Sequence, residues 1–65
     1  MNLLFFKNKK GELVAVNPAN VTYLENGEST DGKPATGINV IDDYIVVSAT
    51  IAEVSNALKI AMRGN

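Results

Sequence analysis

Segments that read as β-strands carry apolar side chains on both faces, and this feature limits the possible folds more than any other. Successive side chains of a strand point to opposite sides, so Leu3 and Phe5 would face away from Leu4 and Phe6. An antiparallel sheet with one face in water normally keeps that face polar. We therefore expect either a sheet that bends sharply into a small barrel or a second copy of the chain that covers the other face.

Turn-forming residues divide the chain into five short strands. Asn-Lys-Lys-Gly follows the first apolar segment, Asn-Pro follows the second, and a loop over residues 26–36 consists almost wholly of turn and breaker residues. Two aspartates separate the last two strands. The predicted strands cover residues 3–7, 12–16, 21–25, 37–41 and 44–47.

A helix is predicted over residues 51–63. Thr50 and Glu53 have the T-x-x-E spacing of a capping box, in which each side chain bonds the backbone N–H of the other residue. Such a helix is about 20 Å long at ~1.5 Å per residue, so it covers only one side of a small sheet. Its apolar residues recur at helical spacing and form one stripe, which consists of Ile51, Val54, Ala57, Leu58, Ala61 and Met62.

These elements place residues 1–65 in one α+β domain, with a strongly bent antiparallel sheet or small β-barrel of four to five strands and one C-terminal helix. A chain of 65 residues buries only ~60% of the surface that it exposes when unfolded. Because 46% of the residues are hydrophobic, we expect a homo-oligomer in which apolar strand faces meet. The predicted interface residues are Leu4, Phe6, Val14, Val16, Tyr44, Val46 and Ile60.

Catalysis is not expected. The chain has neither histidine nor cysteine, so its serines lack the usual base of a hydrolase. The neighbouring Asp42 and Asp43 would point to opposite faces of a strand, and aspartate is a common turn residue. The long loop also lacks the residue pattern of a calcium-binding loop. We therefore predict no enzyme activity, catalytic residue, metal, cofactor or small-molecule substrate.

Lysines cluster on the first hairpin and recur on the long loop. In a ring, Lys7, Lys9, Lys10 and Lys33 would repeat once per subunit and follow the phosphate backbone of RNA or single-stranded DNA. Tyrosine and phenylalanine rings would then offer stacking faces for bases. The alternative is that the lysines keep an apolar hairpin soluble. The net charge of −1 makes the basic patch modest in a single subunit.

No apolar run approaches the ~20 residues that span a bilayer. The apolar N-terminal segment has neither the basic start nor the cleavage site of a secretory signal. We therefore expect no membrane association and a cytoplasmic location, in a bacterial host or, since small chains of this composition are frequent in phage genomes, in an infected cell.

Two resemblances add to this account. The chain resembles the short flagellar FlbD (SwrD) type, which runs strand, N-P, strand, hairpin and helix, at Asn17-Pro18, residues 21–25, 37–40 and 42–47, and Ala52-Glu53-Val54. That resemblance implies a small α+β chain with a flagellar role. Short bent strands, one helix and a suspected ring also look like an Sm-like small barrel, whose rings bind RNA.

The function that these patterns favour is a non-enzymatic module that self-assembles and acts as an interaction or scaffold protein. Its predicted binding surface comprises the first hairpin and the loop over residues 26–36. The alternative is an Sm-like ring that binds RNA or single-stranded DNA through the lysine-rich hairpin.

Overall fold

The computed structural model describes residues 3–27 and 32–63. It is an α+β structure with five strands and a C-terminal helix, and a short 3₁₀ helix joins the second and third strands. The elements are β1 (Leu4–Lys7), β2 (Leu13–Val16), the 3₁₀ helix (Pro18–Asn20), β3 (Val21–Asn26), β4 (Thr36–Val40), β5 (Asp43–Val47) and α1 (Ile51–Arg63). The five strands lie within one residue of the predicted bounds at each end, and the 3₁₀ helix was not predicted.

The strands form two separate antiparallel sheets, β1–β2 and β3–β4–β5, and no closed barrel is found among residues 3–27 and 32–63. The sheets meet where β1 and β5 end. There the backbone N–H of Ser48 donates to the carbonyl of Lys7 over 2.7 Å, and its hydroxyl donates to the carbonyl of Asn8 over 3.3 Å. The α+β class agrees with the sequence prediction, but the predicted closure into a barrel is not found, because β1 and β5 meet at their ends and do not pair along their length.

Asn8 holds the turn between β1 and β2 in one conformation. Its backbone N–H donates to the carbonyl of Glu12 over 2.9 Å, and its carbonyl accepts from Gly11 N–H over 3.0 Å. Its side-chain Oδ1 also accepts from the backbone N–H groups of Lys10 and Glu12. Gly11 has φ +80°, a left-handed conformation that disfavours any residue with a Cβ. The turn therefore presents Lys9 and Lys10 at a fixed tip.

The core lies between the inner faces of the two sheets and α1. Its buried side chains are Val16, Ile38, Val47 and Val54. One apolar row crosses the second sheet, in which buried Ile38 lies between half-buried Leu24 and Ile45. The hydroxyl of buried Thr36 donates to the carbonyl of Ala49 over 2.7 Å, which ties β4 to the segment before the helix.

The helix begins and ends where the sequence predicts. Thr50 N–H donates to Glu53 Oε1 over 2.8 Å, and Glu53 N–H donates to Thr50 Oγ1 over 3.1 Å, so the capping box is confirmed. Val54 and Ala61 are buried, whereas Ile51 and Met62, at the two ends of the predicted stripe, are exposed. No helix among the described residues is long and apolar enough to cross a membrane.

Candidate interaction surfaces

The outer face of the first hairpin is a contiguous apolar surface in contact with solvent. Because side chains alternate along β1 and β2, Phe5, Leu13 and Ala15 share the side turned away from the core, and Leu3 continues it. The exposed fractions are 63% for Phe5, 69% for Leu13 and 51% for Leu3. Phe5 lies opposite Ala15, so the two strands add apolar surface to the same face. We call these four residues the hairpin face.

The other side of the same hairpin faces the core. Leu4 lies opposite Val16 and Phe6 opposite Val14, and all four were predicted from sequence as interface residues. Val16 belongs to the buried core, and Phe6 and Val14 pack against that core. In the folded chain these four side chains are directed inward, so the surface that the hairpin offers to a partner is the hairpin face.

The remaining predicted interface residues lie on two other surfaces. Tyr44 and Val46 are on the outer face of the second sheet, where Val46 lies opposite Gly37. Ile60 is exposed on α1, off the side that packs against the core. The seven predicted residues are therefore not brought together on one surface.

Three predicted nucleic-acid-binding residues do come together at the turn between β1 and β2. Lys7 ends β1, and Lys9 and Lys10 occupy the turn that Asn8 holds. All three side chains are exposed, and within the part of the chain that the structure describes none of them forms an ion pair. We call Lys7, Lys9 and Lys10 the lysine tip.

Lys33 belongs to the long loop, in which residues 28–31 lie outside the described range. It precedes Thr36, which lies opposite Val47 at the end of β5. Since Ser48, which follows Val47, bonds the end of β1, Thr36 and the end of β1 lie at the same end of the molecule. Lys33 is exposed and takes part in a noncovalent interaction.

The outer face of the second sheet carries two tyrosines that flank Asn39. Tyr23 and Tyr44 lie on either side of Asn39 in one row across β3, β4 and β5. Tyr23 is 57% exposed and Tyr44 46%. The ring of Tyr44 lies over Gly37, where a Cβ would overlap it, and its hydroxyl donates to Glu25 Oε2 over 3.3 Å. We call Tyr23, Glu25, Asn39 and Tyr44 the tyrosine face.

Among the described residues, one buried side-chain nitrogen or oxygen atom lacks a hydrogen-bond partner, and that atom is Nδ2 of Asn39. The backbone carbonyl of Asn39 accepts from the Thr22 hydroxyl over 3.0 Å, at the bulge where β3 and β4 shift register. That bulge turns Tyr23 to the same side as Asn39. The rings of the tyrosine face therefore have a defined position on the sheet.

Acidic residues accompany the tyrosine face. Glu25 belongs to it, Asp42 is exposed in the turn between β4 and β5, and Asp43 is exposed at the start of β5, on the side of the sheet opposite Tyr44. The carboxylate of Asp43 accepts from Tyr44 N–H over 2.7 Å, which is the role of a turn residue. No group of three or more histidine, cysteine, aspartate or glutamate side chains suited to a metal ion occurs among the described residues.

Comparison with family models, with curated proteins and with solved structures found no match for this chain. The proposed function therefore rests on the hairpin face, the lysine tip and the tyrosine face. Sequence reasoning singled out the hairpin, its lysines and Tyr44, but it did not predict that Tyr23, Glu25, Asn39 and Tyr44 share one face. The signal for it was a glycine at position 37 within a strand, because an interior strand glycine often marks a place where another group approaches closely.

Proposed function

We propose that the chain is a non-enzymatic module that associates with further copies of itself through the hairpin face and serves as an interaction or scaffold protein. The observation that carries the proposal is the exposure of Phe5 and Leu13 on one side of a two-stranded sheet. Exposed contiguous apolar patches mark interaction sites on soluble proteins.

The strength of the association can be bounded from the exposed fractions. Complete burial of a leucine or phenylalanine side chain contributes about 1.5–3 kcal/mol. With 51–69% of their surface exposed, Leu3, Phe5 and Leu13 would contribute roughly 1–2 kcal/mol each on docking. The partner surface adds a comparable amount, and association itself costs about 4–15 kcal/mol. At the favourable end of these ranges about 8 kcal/mol remains, which corresponds to a micromolar dissociation constant, and smaller remainders give weaker association. The micromolar to millimolar range is therefore the range of concentrations to be tested.

A second copy is the occupant that suits this surface. The net charge of −1 leaves little repulsion between copies. Within the described residues β2 pairs only with β1, so its outer edge stays open beside the hairpin face. Open edges beside apolar faces promote pairing between chains. Association through the hairpin face does not require the strands to close into a barrel.

The test compares two double variants with the unaltered chain by sedimentation equilibrium between about 10 µM and 1 mM, the range that the affinity bound sets. Phe5→Ser with Leu13→Ser removes the hairpin face and should give a monomer. Ile60→Ser with Met62→Ser makes the same kind of change on exposed positions of α1 and should leave the association unchanged. Loss of association in the helix variant alone would place the interface on α1 and refute the proposal.

The second candidate is a ring that binds RNA or single-stranded DNA, and the observation that favours it is the lysine tip. Three exposed cations without ion pairs are held on a fixed turn. Phosphate binding weakens steeply as salt rises, whereas association through apolar strands does not. Changing Lys7, Lys9 and Lys10 to alanine should abolish binding of a labelled single-stranded oligonucleotide at low salt if this function is correct. Unchanged binding in that variant would exclude the lysine tip as the site.

A further inference from the structure

We propose that the surface that receives the hairpin face of one copy is the tyrosine face of the next copy. This inference rests on the proposed self-association and adds to it the identity of the second surface. The two surfaces belong to different sheets, so the contact is heterologous, with one patch of each copy meeting a different patch of its neighbour. Repetition of such a contact produces a closed ring or an open chain of subunits.

Charge favours this pairing over the pairing of two hairpin faces. The hairpin face continues into the lysine tip, since Lys7 lies opposite Leu13 on the same side of the hairpin. Two hairpin faces that met with their turns at the same end would bring like charges together. The tyrosine face includes Glu25, and Asp42 is exposed in the adjoining turn between β4 and β5. Lysines of the tip would therefore meet carboxylates when a hairpin docks on a tyrosine face.

The shapes and chemistry of the side chains also agree. The ring of Tyr44 lies over Gly37, and the side chain remains 46% exposed to solvent. Its hydrogen bond to Glu25 holds the ring in that position before any partner arrives. Aromatic rings pack well against a second aromatic ring such as Phe5, and they attract the ammonium group of a lysine. The tyrosine face thus accepts both the apolar and the cationic parts of the hairpin.

Mixing two defective variants gives a direct test, because a heterologous contact needs one good surface from each copy. Phe5→Ser with Leu13→Ser removes the donor surface. Tyr23→Lys with Asp42→Lys removes the receiving surface, and both positions are exposed and leave the Tyr44–Glu25 hydrogen bond in place. Each variant should be monomeric alone. The mixture should form a 1:1 complex of twice the 6.9 kDa chain mass and should grow no further.

Other outcomes distinguish this inference from the proposed function. If the receiving-surface variant associates as the unaltered chain does, self-association stands and the tyrosine face is not its partner. If the unaltered chain is itself monomeric, both proposals fail. Circular dichroism of each variant first establishes that it is folded.

A charge-reversal experiment tests the same inference without changing any apolar side chain. Lys9→Glu with Lys10→Glu reverses two cations of the lysine tip, and the dissociation constant of self-association should rise at least about tenfold at low salt. Lys59→Glu with Arg63→Glu changes the net charge equally on α1 and should leave that constant within about twofold of its original value. Equal effects of the two pairs would show a response to overall charge alone and would overturn the inference.

Discussion

Gly37 is the position at which a single methyl group should disturb the tyrosine face most directly. A Cβ at this position would overlap the ring of Tyr44. The backbone of Gly37 lies outside the left-handed region, so alanine introduces no backbone strain there. Gly37→Ala must therefore displace Tyr44 from the sheet and break its hydrogen bond to Glu25.

The expected loss of stability follows from what Tyr44 contributes. Its side chain is 46% exposed, so about half of the ~1.5–3 kcal/mol available from burying a large side chain is at stake. An exposed hydrogen bond to a carboxylate adds about 0.5–1 kcal/mol. Replacing glycine by alanine returns about 0.4–1 kcal/mol by restricting the unfolded chain. The net expectation is a decrease of roughly 0.3–2 kcal/mol in the free energy of unfolding.

A double-mutant cycle separates the ring displacement from any other effect of the methyl group. Urea unfolding is measured for the unaltered chain, Gly37→Ala, Tyr44→Ala and the double variant. Once the ring has been removed, Gly37→Ala should be neutral or stabilising by up to about 1 kcal/mol. An equal destabilisation by Gly37→Ala in both backgrounds would show that contact with Tyr44 is not the cause, and the reasoning would be refuted.

Three further expectations concern the turns and the helix. Gly11→Ala should lower the free energy of unfolding by about 1–2 kcal/mol, because φ +80° at that position disfavours a Cβ, and a result near zero in urea unfolding would contradict this. Thr50→Ala should lower it by about 1 kcal/mol through loss of the cap on Glu53 N–H, whereas Thr50→Ser should retain most of the stability. Hydrogen bonds from the backbone N–H and then the side chain of Thr50 lower the pKa of Glu53 below its ordinary value of 4.5. A depressed carboxyl pKa stabilises the fold above pH 4.5 and ceases to do so as the pH falls through the folded-state pKa. Glu53→Gln should therefore reduce the acid dependence of the thermal midpoint below pH 5, and an unchanged dependence would be contrary to this assignment.

Local signals predicted the secondary structure well. The helix bounds followed from Thr50, Glu53 and an apolar stripe, all of which act within a few residues. The first turn followed from Asn-Lys-Lys-Gly, which the structure shows as a turn held by Asn8 with Gly11 at positive φ. Such signals work because capping and turn formation depend on nearby backbone groups rather than on the rest of the fold.

The direction in which each strand faces could not be predicted in the same way. Phe5 and Phe6 are chemically identical, so nothing in residue type indicates that Phe6 packs toward the core while Phe5 is exposed. That choice depends on strand pairing and on the position of the helix. The placement of Tyr44 over Gly37 likewise depends on the register between β4 and β5, which joins residues that no local pattern relates.

The division of the strands into two sheets was also beyond local signals. A barrel and two sheets use the same strands and turns, and they differ only in whether β1 and β5 pair along their length. In this chain the two strands meet at their ends, where the backbone N–H of Ser48 donates to the carbonyl of Lys7. Self-association, nucleic-acid binding and the resemblance to flagellar or Sm-like proteins remain predictions.

The most direct test of the account is the absolute mass of the unaltered chain in moderate salt, measured by light scattering on a sizing column over a concentration series. The account predicts a mass that rises above the 6.9 kDa of one chain toward a defined multimer as the concentration passes through the micromolar range. A mass of one chain at every concentration up to about 1 mM, beyond which association would be too weak to matter, would contradict the central claim that the hairpin face is an interface between copies.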